Sequence, residues 1–211
     1  MKTDLIEYIA SRTPLTFLQR VVEHIEAAHH AAHQHSETFA DPERFRILPQ
    51  LQHYRSNEAL RTAALDAGME AVAPHTDPKG ERFSLVAADN IRFGQICVPF
   101  DNKLPRQAKH RRTIAALNEQ LEPVNLDLFT GPSRPISDGL GCLVVAVKPH
   151  KREPQSVPFA VMVGVPYTNL KGWHLLEPIA EIMAAYHPAE PVTVPDLAWA
   201  RLKKQIHDSE G

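Results

Sequence analysis

Two uninterrupted apolar runs, Leu143-Val144-Val145-Ala146-Val147 and Phe159-Ala160-Val161-Met162-Val163-Gly164-Val165, constrain this chain more than anything else in it. Their β-branched residues favour strands, and with no polar residue at alternate positions neither face of such a strand meets water. The runs therefore predict central strands of a sheet covered on both sides, and the rest of the chain must supply that cover.

Helical spacing supplies it. Thr13-Pro14 is a helix start, and Phe17, Leu18, Val21, Val22, Ile25, Ala28 and Ala32 then mark one apolar stripe over residues 14–36. Asp41-Pro42 restarts the chain, Pro49 interrupts it, and Ser56-Asn57-Glu58 leads through Ala59, Leu60, Ala63 and Ala64 to a stop at Gly68. The period then changes to two. Residues 83–86 and 91–98 read as strands of a hairpin turning at Asp89-Asn90, Pro105 opens a helix that Pro123 closes, and Pro178 starts another through Tyr186. The expected fold is α+β, a mainly antiparallel sheet of about four strands with packed helices. Residues 1–72 form a helical N-terminal region and 73–211 an α+β domain, together one compact unit.

At 211 residues with 43% hydrophobic side chains the chain can bury a full core, and a formal charge of -2 gives no global field toward nucleic acid or membrane, so any such binding is local. Cys97 and Cys142 lie in apolar runs without metal or redox spacing. The absence of a span-length apolar stretch and the Met1-Lys2-Thr3-Asp4 opening give the expectation of a cytoplasmic protein that does not enter the membrane. Gly-rich phosphate loops, nucleophile elbows and a Cys/His nucleophile arrangement are not legible in the sequence.

Asn125-Leu126-Asp127-Leu128-Phe129 resembles the pentapeptide Gln-Leu-Ser/Asp-Leu-Phe by which bacterial polymerases and mismatch-repair proteins dock on the replication sliding clamp. The resemblance implies that Leu128 and Phe129 enter an apolar pocket of the clamp, while Leu126 and an amide fix the register. Asn125 stands where the pattern has Gln, and Asp127 at the Ser/Asp position. Pro123, Pro132 and Pro135 stiffen the flanks, which lowers the ordering cost of docking. The alternation of Val124, Leu126 and Leu128 also suits an edge strand packed on the core.

Lys103, Arg106, Lys109, Arg111 and Arg112 fall within ten residues without an acid among them, a pattern of either a solvated helix face or phosphate contact with DNA, with Arg201, Lys203 and Lys204 as a second patch. Asp89, Asp101 and Lys103 resemble the carboxylate and Asp/Glu-x-Lys set of metal-dependent nucleases of the restriction-endonuclease-like superfamily, which implies catalysis with Mg2+. Fully extended chain would hold Asp89 and Asp101 about 40 Å apart, so the set converges only if the segment bends. Glu26, His29 and His33 lie about one helical turn apart on the His-rich helix and are metal candidates; an apolar-face histidine more commonly packs in a core or a homodimer interface. The leading expectation is a bacterial binding or regulatory protein of DNA metabolism, without a cofactor, whose partners are the sliding clamp and DNA. The alternatives are the nuclease and a protein–protein interaction module without nucleic acid.

Overall fold

The computed structural model describes residues 1–76, 78–122 and 139–186. Along them run the helices α1 (Lys2–Arg12), α2 (Leu15–Ser36), α3 (Glu43–Asp66), α4 (Lys109–Ala116) and α5 (Ile179–Ala184), and the strands β1 (Glu70–Val72), β2 (Leu85–Ala88), β3 (Ile91–Val98), β4 (Leu140–Val147), β5 (Ala160–Pro166) and β6 (Trp173–Pro178). The fold is α+β. The six strands form one sheet in sequence order, antiparallel at every junction except the central one, where β3 and β4 are parallel from Ile91↔Leu140 to Val98↔Val147.

Two layers cover this sheet, as the apolar runs require. Every residue of β4 is buried. On one face, Phe93, Cys142, Val144, Ala146, Val163 and Leu175 pack against Leu5, Ile9, Phe17, Leu18, Val21, Ile25, Leu60 and Ile179 of the helices. The Phe17 and Phe93 rings meet at 5.3 Å. On the other face Ile96, Leu143, Val145 and Met162 pack against Ile114 of α4. The N-terminal helices thus share a core with the sheet. Asn57 fixes α3 to β2 by accepting from the Ser84 amide at 3.0 Å, and His24 of α2 reaches Asp66 at the end of α3 at 2.8 Å.

The structure sharpens the sequence reading of the sheet at two places and departs from that of the helices at two more. Six strands replace about four, because β1 and β6 are short and β6 carries no β-branched residue; each exists by pairing with a longer neighbour. Within the mainly antiparallel order expected, the central pair β3 and β4 is parallel, which requires a crossover between Val98 and Leu140 in place of a tight turn. Pro49 does not interrupt α3, which runs through it. The proline forfeits one helical hydrogen bond, and the burial of Leu60, Ala63 and Ala64 with the Asn57–Ser84 bonds holds the helix downstream. Finally, α4 begins at Lys109 rather than Pro105. The Trp173 indole donates to the Lys103 carbonyl at 2.8 Å and the Gln107 amide to the Asn169 carbonyl at 2.8 Å, and these tethers keep the preceding segment extended.

At the far end of α4, buried Asn118 clamps the crossover to the sheet. Its Nδ2 donates to the Gly141 and Pro166 carbonyls, each at 2.9 Å, and its Oδ1 accepts from the Gly141 amide at 2.8 Å. Gly141 is needed there because a Cβ would lie 1.9 Å from the Ile114 carbonyl oxygen, which is backbone and cannot swing aside. Gly141→Ala is expected to lower unfolding free energy by about 2–3 kcal/mol, whereas Gly80→Ala, where an added Cβ meets nothing within 4 Å, changes it by less than about 0.5 kcal/mol. Urea unfolding of both variants checks this, and equal effects would contradict the packing described.

Candidate cationic cleft

Successive side chains of β3 point to opposite faces, so Ile91, Phe93, Gln95 and Cys97 all face the layer of α2 and α3. The first two are apolar core, and the last two begin a polar seam. The Gln95 amide donates to the Cys97 sulfur at 3.1 Å, Ser56 Oγ of α3 lies 3.8 Å from that sulfur, and His29 Nε2 of α2 lies 3.9 Å from it. His29 is fully buried, and its Nδ1 and Gln95 Oε1 find no partner among the described residues.

Cys97 is half-buried because the seam opens at the carboxyl ends of β3 and β4. There a cleft of about 140 Å³ is lined by Pro49, His53, Cys97, Pro99, Arg106, Arg111 and Lys148. The parallel register brings Lys148 to this place: its amide donates to the Val98 carbonyl at 2.9 Å, extending the β3–β4 ladder one step beyond the strands. Arg111, on the first turn of α4, donates to the Arg106 carbonyl at 3.2 Å and so faces the cleft too.

Three cations thus line one small space, and none of the ion pairs among the described residues involves any of them. The electrostatic strain falls on Arg111, Lys148 and two neighbouring histidines. Burial lowers the Arg111 pKa first of all; a negative charge at Cys97 opposes this, Arg106 adds to the lowering and Glu81 opposes it. Lys148 is lowered by burial and by Arg106, against Cys97. His110, stacked on Phe83 with ring centroids 4.6 Å apart, is lowered to about 4 by burial, Arg111 and His53, against Glu81. His53 is lowered by burial, Arg111 and Lys148, again against Glu81. Glu81 is itself exposed and accepts from the Tyr54 hydroxyl at 3.4 Å. Arg111 Nε is buried and has no acceptor among the described residues. Such a site favours an anion: one bound oxyanion supplies acceptors for fixed donors and countercharge for cations already removed from water.

The basic run anticipated from sequence is therefore divided. Arg106 and Arg111 line the cleft, while Lys109 and Arg112 are exposed, and Arg112 Nε donates to Gln107 Oε1 at 3.0 Å. Lys103 lies 6.0 Å from the Phe100 ring centroid. Sequence reasoning missed Cys97, Lys148, His53 and His110. A lysine directly closing a fully buried strand run was the available signal for Lys148.

The other candidates are dispersed. Asp89 turns β2 into β3 with a left-handed φ of 51°, pairs with Arg12 at 3.4 Å, and lines a shallow groove of about 400 Å³. Asp101 lies beyond the opposite end of β3, whose eight residues span roughly 25 Å. Asp89 therefore cannot share an ion with Asp101 and Lys103. On α2, His29 points into the core, Glu26 is exposed, and His33 Nε2 sits 3.4 Å from Glu37, so Glu26, His29 and His33 do not converge. No group of three metal-ligating His, Cys, Asp or Glu side chains occurs among the described residues. The pentapeptide Asn125, Leu126, Asp127, Leu128 and Phe129, and the basic residues Arg201, Lys203 and Lys204, lie outside the described residues. No helix among the described residues is long and apolar enough to cross a membrane.

Comparison with protein-family models, curated proteins and solved structures finds no match to this chain.

His29 gives the site a pH signature. Burial first, then Lys148, lowers its pKa from 6.5 to about 4, so between those values the unfolded chain binds a proton that the folded chain refuses. Stability is then expected to fall as pH drops from 6.5 toward 4, with His29 contributing up to about 1.4 kcal/mol per pH unit and roughly 3 kcal/mol in all. Denaturant unfolding at several pH values checks it: His29→Gln should flatten the slope by that share, and an unchanged slope would contradict it.

Proposed function

We propose that this chain is a cytoplasmic bacterial binding protein of DNA metabolism that holds a phosphate group of single-stranded DNA in the cleft of Arg106, Arg111 and Lys148. The observation that carries the reading is the meeting of three cations, two of them partly desolvated, in a cleft with no carboxylate among the described residues that line it. A cleft of about 140 Å³ suits one phosphate group rather than a whole nucleotide.

Aromatic surface beside the cleft supports a single strand over a duplex. Phe100 follows Pro99 of the cleft wall, its ring meets Phe159 edge-on at 4.8 Å and His150 at 6.1 Å, and Phe159 is 57% exposed. Unpaired bases stack on such rings while cations track the backbone, and a duplex keeps its bases stacked inside. Lys103 and the outward-facing Lys109 and Arg112 extend the positive surface. The pentapeptide at 125–129 supports recruitment to the sliding clamp as the route by which the protein reaches exposed single strands.

Fluorescence anisotropy with labelled single strands and duplex at roughly 50 to 200 mM salt tests this reading. Single strands are expected to bind more tightly, with affinity falling steeply with salt. Lys148→Met and Arg106→Gln should each flatten the log–log slope by about 0.7, the share of one phosphate on a single strand. Phe159→Ala should cost about 1–3 kcal/mol on single strands only. Leu128→Ala combined with Phe129→Ala should abolish binding to purified clamp and leave DNA affinity unchanged. Absence of binding at the lowest salt, or indifference to the cleft variants, would overturn the DNA reading.

A further inference from the structure

The proposed phosphate contacts use the cations of the cleft but not the thiol that lines it. Cys97 is one of two cysteines, and the two could hardly be placed more differently. Cys142 is fully buried and desolvation pushes its thiol far above the ordinary value. Cys97 opens into the cleft, accepts a hydrogen bond from Gln95, and lies in the field of Arg111 and Lys148, whose charged forms a negative sulfur would favour. Behind it stands His29, wholly buried, with Nε2 toward the sulfur at 3.9 Å.

We infer that Cys97 is a site of oxidation to the sulfenic acid by small hydroperoxides, and that the sulfur oxyacid it forms competes with the bound phosphate for Arg106, Arg111 and Lys148. The second half of this statement rests on the reading of the cleft as an anion site; the first does not. Size favours a small oxidant: the cleft of about 140 Å³ admits hydrogen peroxide or a short alkyl hydroperoxide beside the sulfur.

The chemistry balances without a cofactor. The Cys97 sulfur attacks the terminal oxygen of R′OOH, an S–O bond forms as the O–O bond breaks, and the electron pair leaves on R′O⁻, which takes up the proton the thiol gave to solvent. In net terms RSH and R′OOH give RSOH and R′OH: sulfur loses two electrons and the peroxide gains them. Arg111 and Lys148 stabilise both the attacking sulfur and the departing alkoxide. The oxygen added to sulfur then offers Arg111 Nε the acceptor it lacks among the described residues.

The test treats the full chain with hydrogen peroxide in the presence of dimedone, which traps sulfenic acid, and locates the adduct by peptide mass spectrometry. The adduct is expected on Cys97 and not on Cys142. Formation should be about tenfold slower in Lys148→Met and in Arg106→Gln, the latter at an exposed position that leaves folding intact. Inorganic phosphate should protect Cys97 where chloride of equal ionic strength does not. Trapping on Cys97 at the rate of free cysteine, unaltered in both variants, would overturn the oxidation site. Normal trapping that phosphate fails to slow would leave the oxidation site standing and overturn both the competition and the anion reading of the cleft.

Discussion

The parallel pairing of β3 and β4 is the constraint on which the rest of the molecule depends. Parallel neighbours cannot be joined by a tight turn, so the chain leaving Val98 has to return to the opposite end of the sheet before Leu140. That return lays α4 on one face, leaving the other to α1, α2, α3 and α5, and so satisfies the demand of a strand buried on both sides. It also fixes the polar chemistry. Both carboxyl ends of the parallel pair emerge at one place, where Cys97 and Lys148 come from the strands and Arg106 and Arg111 from the outgoing crossover. Crevices outside the carboxyl ends of parallel strands are common ligand sites for this reason.

The cost of the arrangement is concentrated there as well. Gln95, Cys97 and His29 interrupt an otherwise apolar contact between sheet and helices, and two of their polar atoms are buried without partners among the described residues. Each such atom costs about 1–3 kcal/mol. A stability-driven sequence would place Leu or Val at 95 and 97, as it does at 144 and 146 with Val and Ala. Buried polar groups beside partly desolvated cations point to a use for the site rather than to packing.

What the sequence disclosed, and what it hid, follows from how local each feature is. The α2 stripe of Phe17, Leu18, Val21 and Ile25, the hairpin at Asp89-Asn90 and the double-sided burial of β4 depend on neighbours a few positions away and were legible. The cleft depends on pairing between Val98 and Val147, which no periodicity reports. Within the basic run, Arg111 and Arg112 are equivalent in composition; the point where α4 begins decides which turns inward, because each helical residue rotates the side chain by about 100°. That point is set by the Trp173–Lys103 and Gln107–Asn169 tethers, contacts with a distant hairpin. The acidic pair Asp89 and Asp101 shows the converse error: proximity in sequence and a suggestive pattern, held apart by a straight strand.

The central claim, that the parallel strand ends create an anion site, is tested most directly at Arg111 Nε, a buried donor whose N–H signal is separable from the backbone by 15N nuclear magnetic resonance. Titration with inorganic phosphate at constant ionic strength should shift that signal saturably, with Arg106→Gln weakening the response. A signal that ignores phosphate, or drifts without saturation as chloride also makes it do, would show that the three cations do not form a binding site.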